Sequence, residues 1–133
     1  MNWRTYLMVT MLGVLIGMPT LAQKKSEERP VKTTVAAILE DPDRFHKKLV
    51  QVEGKVSDYK EKVSRAGNTY TTFKLEQGEK KITVFSYGHL RLQNGDEVVV
   101  IGRFYKEKRV GRATFKNEID ASTREGGKIT KKE

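Results

Sequence analysis

Apolar and polar residues alternate along much of the chain between positions 48 and 121. The alternation is clearest over residues 48–58, where Val50, Val52 and Val56 fall on one side and polar residues on the other. Successive side chains of a β-strand point to opposite faces of a sheet, so a period of two indicates a half-buried strand. We therefore predict a first strand over residues 48–58.

Four further segments predict strands, at residues 69–76, 80–86, 97–106 and 113–121. The segment 97–106 is the most apolar of the predicted strands, and its apolar residues are continuous rather than alternating, which predicts a central position in the sheet. In the last strand we expect Phe115, Ile119 and Ala121 to point inward. The turn residues Gly78 and Asn94-Gly95 fall between predicted elements, as hairpins and short connections require.

One short helix is predicted ahead of the strands, over residues 33–40. A threonine can cap its start, and Asp41-Pro42 ends it because the residue before a proline avoids helical angles. Five strands separated by turns, with one helix at the edge, predict an all-β fold in the form of a small five-stranded antiparallel barrel.

The first 22 residues have the pattern of a secretory signal peptide. Arg4 is followed by an apolar run over residues 6–18, and the small residues Thr20 and Ala22 suit cleavage after Ala22. We therefore expect an exported protein, periplasmic or secreted, with no membrane span after processing, or alternatively one that retains this segment as an anchor. Since Arg4 is the only charged residue in the segment, cleavage removes one positive charge.

Both flanks of the predicted domain are polar. Residues 23–32 are charged and contain Pro30, which predicts a flexible leader. Residues 123–133 contain two glycines, many charges and almost nothing to bury. Such a composition does not offset the entropy of ordering a segment, so we predict a disordered basic tail there and a folded domain over residues 33–122.

Composition narrows the chemistry. The chain has 26 Lys+Arg against 17 Asp+Glu, and its formal charge of +9 favours anionic partners. It contains no cysteine, which excludes disulfides, a thiolate nucleophile and cysteine metal ligands. Neither His46 nor His89 has metal-ligand spacing around it, and no serine lies in a nucleophile motif. We predict a non-enzymatic protein that needs no metal or cofactor.

Three segments together resemble the OB-fold family. They read KLVQVEGKV at residues 48–56, YTTFKL at 70–75 and NGDEVVVIGRF at 94–104, giving a frame of V-x-V-x-G-x-V followed by G-D-x-V-x-V-x-G. This frame is similar to OB-fold domains of the single-strand-binding and tRNA anticodon-binding type. The DPDRF sequence at residues 41–45 is similar to the segment that precedes the first strand in exported bacterial members of the OB-fold family.

The resemblance implies a binding surface across the second and third strands, flanked by two loops. Applying the alternation to that surface gives six outward residues on those strands, namely Tyr70, Thr72, Lys74, Lys81, Thr83 and Phe85. The flanking loops add seven basic residues, namely Lys60, Lys62, Arg65, Lys106, Lys108, Arg109 and Arg112.

The sequence is compatible with two functions. The first is binding of single-stranded nucleic acid or a similar anionic polymer, because lysine and arginine contact phosphates and exposed rings stack on bases. The second is a periplasmic adaptor for an envelope protein, or for an anionic glycan or lipid headgroup, which export favours. For Tyr70 and Phe85 the alternative to ligand contact is packing under a loop or across a strand from another ring.

Overall fold

A computed structural model describes residues 28–133. The predicted signal peptide lies outside the described residues, as does most of the predicted leader. Within residues 28–133, the helices are all too short or too polar to cross a membrane.

Two short helices precede the barrel strands. The predicted helix is present as α1, Val35–Glu40, and the Thr34 hydroxyl accepts a hydrogen bond from the Ala37 amide at 3.1 Å. A second helix, α2, Pro42–Phe45, follows directly, with proline at its first turn. Val35, Ile38 and Phe45 are buried, so both helices pack apolar side chains into the core of the domain.

Residues 28–133 form seven β-strands. They are β1 Val31–Lys32, β2 Leu49–Val63, β3 Thr69–Gln77, β4 Lys80–Tyr87, β5 Glu97–Val110, β6 Ala113–Asp120 and β7 Lys128–Lys131. Five of them close a ring in the order β2–β3–β4–β6–β5–β2. The β4–β6 pairing is parallel, and the other pairings of the ring are antiparallel. This strand order is that of the OB fold, and it confirms the predicted fold class.

The interior of the ring follows the predicted alternation. Alternate residues of β2, β3, β4 and β5 are buried, and the largest fully buried side chains are Phe73 and Phe104. Gly54 and Gly102 lie where a neighbouring strand approaches the backbone closely. A Cβ at either position would stand 2.6 Å from a carbonyl oxygen of the neighbouring strand, so both serve close backbone packing.

Two hairpins extend beyond the ring where loops were predicted. In the first arm, residues 60–63 of β2 pair with 69–72 of β3, after a bulge between Ser57 and Lys60. In the second arm, residues 107–110 of β5 pair with 113–116 of β6. The prediction ended β2 and β5 too early, because charged residues replace the apolar alternation once a strand leaves the core.

The predicted disordered tail is wrong. A 3-10 helix at Thr123–Glu125 is followed by β7, which pairs with residues 98–101 of β5. Ile129 packs against the core, and Gly127 is buried. Composition did not reveal this pairing, because the interaction depends on an edge of β5 that β6 leaves free.

The end of the predicted leader is also ordered. Val31 and Lys32 pair in parallel with Val50 and Gln51 of β2, so these residues belong to the sheet rather than to a flexible segment. Just before them, the Glu28 carboxylate lies 2.7 Å from the Arg103 guanidinium.

Arg103 connects both ends of the described chain to the barrel. Besides Glu28 it contacts the Glu125 carboxylate at 3.2 Å, and it donates to the Lys47 carbonyl at 2.9 Å. The Tyr105 hydroxyl donates to the other oxygen of Glu125 at 3.0 Å. The C-terminal segment is therefore held by side chains as well as by the β7 ladder.

The inward orientation predicted for Phe115 is wrong. It is 44% exposed rather than inward, whereas Ile119 and Ala121 are buried as predicted. Asn117, between Phe115 and Ile119, has a φ of 51°, in the left-handed region that interrupts a regular strand. The alternation counted back from Ile119 therefore fails beyond Asn117.

Candidate nucleic-acid interface

The outward side of β3, β4 and β6 forms one continuous surface, which we call the outer face. The β3–β4 register sets Tyr70 beside Tyr87, and Thr72 beside Phe85. In the same way it sets Lys74 beside Thr83, and the Lys74 ammonium donates to the Thr83 hydroxyl at 2.6 Å. Five of the six strand residues predicted for the ligand surface are thus brought together.

Three aromatic rings form a row on this face. The ring centroids of Tyr70 and Phe85 are 5.5 Å apart, and those of Phe85 and Tyr87 are 5.0 Å apart in an edge-to-face arrangement. Tyr70 and Phe85 are half-buried, and Tyr87 is 44% exposed. The rings pack on one another across the strands, as the alternative interpretation expected, and they still present surface to solvent.

Tyr87 was missed by the sequence analysis, which ended the third predicted strand one residue before it. The Arg124 guanidinium lies 5.0 Å from the centroid of the Tyr87 ring and donates to its hydroxyl at 3.2 Å. Arg124 therefore extends the aromatic row with a positive charge. Its contribution depends on the C-terminal segment that was predicted to be disordered.

The first arm brings its lysines to one side of the aromatic row. In the β2–β3 register, Lys60 is opposite Thr72 and Lys62 is opposite Tyr70. Both lysines are exposed, and Lys60 has a weak ion pair with Asp58 at 3.6 Å. Arg65 is exposed at the turn of this arm.

The basic residues of the second arm have different environments. The Lys108 ammonium is 2.9 Å from the Asp120 carboxylate and lies over two rings, 5.4 Å from the centroid of Phe85 and 5.2 Å from that of Tyr105. Arg109 and Arg112 are exposed near the tip. Lys108 is thus part of the outer face, with its charge already partly neutralised.

Two predicted lysines are engaged elsewhere. Lys106 forms an ion pair at 2.7 Å with Asp43 of α2, and this hydrogen bond raises the pKa of Lys106. Lys81 is exposed and pairs with Glu76 at 3.3 Å, at the end of the outer face away from the arms. The structure places neither ammonium beside the aromatic row.

A groove runs across the outer face between the arms. Its lining residues come from both arms and from β3, β4 and β6, and they include Lys60, Lys62, Thr72, Lys74, Thr83, Phe115 and Glu118. The groove therefore has lysines on one wall, an exposed ring on the other and polar groups at its base.

Two acidic residues that were not predicted as site residues lie at the base of the outer face. The β4–β6 register sets Glu118 beside Thr83 and Asp120 beside Phe85. The signal was present, because an inward Ile119 places both of its neighbours outward. Glu118 is 6% exposed, and burial raises the pKa of its carboxyl.

Asp120 is fully buried and well bonded. Burial disfavours its charged form, but hydrogen bonds from the Ser122 hydroxyl at 2.7 Å and from Lys108 outweigh this. The backbone amide of Ser122 donates as well, at 3.0 Å. The net effect is that the pKa of Asp120 lies below its usual value.

Replacing Asp120 by asparagine is expected to lower the free energy of unfolding at neutral pH by about 1.5–3 kcal/mol, the range for hydrogen bonds to a charged group. A carboxyl whose pKa is lowered by folding stabilises the protein above its unfolded-state pKa, and this contribution is lost as the pH falls through the folded-state value. The difference between parent and variant should therefore narrow below about pH 4.

Urea unfolding at neutral and acidic pH measures this difference. Asp58→Asn is the matched control, because Asp58 is exposed and its φ of 51° suits asparagine equally well. Equal stabilities of Asp120→Asn and the parent at neutral pH would contradict the expected role of the carboxylate.

The histidines take part in local contacts. His46 Nδ1 accepts from the Lys106 amide at 3.0 Å, and His89 Nδ1 is 2.9 Å from Glu61. Within residues 28–133, no three His, Asp or Glu side chains are grouped so that they could hold a metal ion.

Comparison with known proteins gives similarity of structure only. No protein-family model matches the chain, and no curated protein matches it. The OB domain of Ta0387 from Thermoplasma acidophilum is 17% identical, covers 76% of this chain and 86% of its own, and has a TM-score of 0.48. An aspartyl-tRNA synthetase from Leishmania major is 15% identical, covers 82% of this chain and 21% of its own, and has a TM-score of 0.49. The OB fold of this chain is assigned by its strand order and ring closure.

Proposed function

We propose that this protein is an exported, non-enzymatic OB-fold module that binds single-stranded nucleic acid or a similar anionic polymer. One observation carries the proposal: the row formed by Tyr70, Phe85 and Tyr87 lies beside a groove between two basic arms. Export rests on the signal-like pattern of residues 1–22.

The groove offers both kinds of contact that a single strand uses. Lysines 60 and 62 stand beside the aromatic row and can contact phosphates, with release of counterions. Exposed ring surface allows bases to stack, whatever their sequence. A duplex, whose bases are already stacked on one another, offers no such faces to the rings.

The acidic side chain of Glu118 sets the orientation of a bound nucleic-acid strand. Glu118 lies at the base of the outer face, where its negative charge disfavours phosphates, whereas the charge of Asp120 is offset by its ion pair with Lys108. A bound single-stranded nucleic acid therefore directs its phosphates towards the arms and its bases towards the β-strands of the barrel. This is the orientation in which stacking on Phe85 is available.

Salt dependence tests the proposal. A fluorescent oligo-dT is expected to bind at low salt and to weaken steeply as salt rises. In the double variant Lys60→Ala/Lys62→Ala, the slope of log K against log salt should decrease by about 0.7 for each lysine that contacts a phosphate. Fluorescence anisotropy over a salt series measures both the affinity and the slope.

The matched control removes the same charge from another part of the surface. Lys55 and Lys80 are exposed and lie outside the groove, so Lys55→Ala/Lys80→Ala should retain most of the slope. If both double variants change the slope equally, only the net charge of the protein attracts the oligonucleotide. If the parent ignores oligo-dT at low salt, the proposal fails, and pull-down from membranes would then test an envelope adaptor.

A further inference from the structure

Glu118 is a carboxylate at the base of the groove, close to the aromatic row. It belongs to β6, it is 6% exposed, and it lines the groove together with Phe115, Thr83 and Lys60. In the sheet it stands beside Thr83 of β4 on one side and Tyr105 of β5 on the other. Because Glu118 lines the groove, a base bound there can reach its carboxylate.

The neighbouring cations are already engaged. The Lys74 ammonium donates to Thr83 at 2.6 Å, and that of Lys108 pairs with Asp120 at 2.9 Å. Within residues 28–133, no group donates a hydrogen bond to the Glu118 carboxylate. Asp120 differs in this respect, since Ser122 and Lys108 both donate to it. Since no Glu118 oxygen is among the fully buried, unpartnered polar atoms of residues 28–133, the carboxylate keeps contact with the groove, where a donor on a ligand can bond to it.

The group that donates a hydrogen bond to Glu118 must be uncharged or positively charged. A phosphate is negatively charged and is therefore not such a group. Among pyrimidines, cytosine presents an exocyclic amine, N4, whereas thymine presents a carbonyl oxygen, O4, at the same place. A carboxylate accepts from the cytosine amine and is repelled by the thymine oxygen. The two bases are similar in size and stack in the same way. The hydrogen bond at this edge therefore determines which of them binds more tightly.

We propose, on the basis of the function proposed above, that Glu118 determines base preference by accepting a hydrogen bond from the exocyclic amine of a base in the groove. Cytosine-containing single strands are then favoured over thymine-containing ones. The phosphates of the same strand stay at the arms, so the preference is independent of the salt-dependent contacts.

The test compares oligo-dC and oligo-dT of equal length at mildly alkaline pH, where cytosine is unprotonated. The parent protein is expected to bind oligo-dC about tenfold more tightly, at the lower end of what base-edge contacts provide. In Glu118→Gln the preference should fall to near unity, because the amide can donate to thymine as well as accept from cytosine. Thermal unfolding of each variant verifies that it is folded.

Glu107→Gln is the matched control. Glu107 is exposed on the second arm, so this change removes the same charge and should tighten both oligonucleotides equally while the preference persists. Equal binding of the two oligonucleotides by the parent, or a preference that survives Glu118→Gln, would overturn the assignment of Glu118 and leave the proposed function standing. If neither oligonucleotide binds the parent at low salt, the proposed function fails and this inference fails with it.

Discussion

Replacing Phe85 by alanine is expected to weaken binding of a single-stranded oligonucleotide by about ten- to a hundredfold at low salt. Phe85 is the central ring of the aromatic row and contacts both Tyr70 and Tyr87. Loss of one stacked base costs roughly 1–3 kcal/mol. Removal of Phe85 also removes the ring beneath the Lys108 ammonium. Tyr70 and Tyr87 then lose the ring that both of them contact.

Fluorescence anisotropy measures the loss, and two further variants identify its cause. Tyr70→Phe keeps a ring and removes only a hydroxyl, so it should bind as the parent does. Phe85→Leu keeps apolar volume without a flat π face, so it should lose most of the affinity. If Phe85→Ala is folded and binds as tightly as the parent, bases do not stack on this row and charge attraction alone remains.

Removal of residues 123–133 is expected to destabilise the domain by about 2–5 kcal/mol, a loss of the size produced when a paired, partly buried element is removed. The truncation deletes β7, whose residues pair with 98–101 of β5, and it uncovers the apolar surface beneath Ile129. It also removes Glu125, which holds Arg103 and Tyr105. Differential scanning calorimetry should show a Tm lowered by about 10 °C or more.

A shorter truncation serves as the control. Removal of residues 132 and 133 alone leaves all four residues of β7 and deletes the exposed ion pair between Lys132 and Glu53, together with the terminal hydrogen bond from the Lys132 amide to the Glu97 carbonyl. We expect the Tm to change little, because exposed pairs contribute little to stability. If the two truncated proteins unfold at the same temperature, the C-terminal segment does not stabilise the barrel.

The fold could be predicted from the sequence because its signals are local. Val50, Val52 and Val56 alternate with polar residues, and the same period places Phe73 and Val84 in the core. A threonine cap was predicted for the Thr33-Thr34 pair in the same way, because a cap side chain and a backbone amide three residues apart satisfy each other, and the structure places the cap at Thr34. Tyr70 and Phe85 were found as outward neighbours because alternation fixes both faces of a strand at once.

The remaining features depend on contacts between distant parts of the chain. The β7 strand forms only because β5 has a free edge, and a composition of lysine, threonine and glycine does not show this. Phe115 was assigned to the wrong side because the left-handed φ of Asn117 leaves no clear signal in the sequence. Lys106 was assigned to the ligand surface because its partner, Asp43, is 63 residues away.

The pairing of the two arms has a consequence for how the protein would meet its ligand. Each arm is a hydrogen-bonded ladder, so the walls of the groove exist in the free protein. Association then avoids the entropic penalty of proteins that fold only on contact with their target. Crystals of the free protein could therefore be soaked with short oligonucleotides, and little rearrangement of the backbone would be needed for them to occupy the groove.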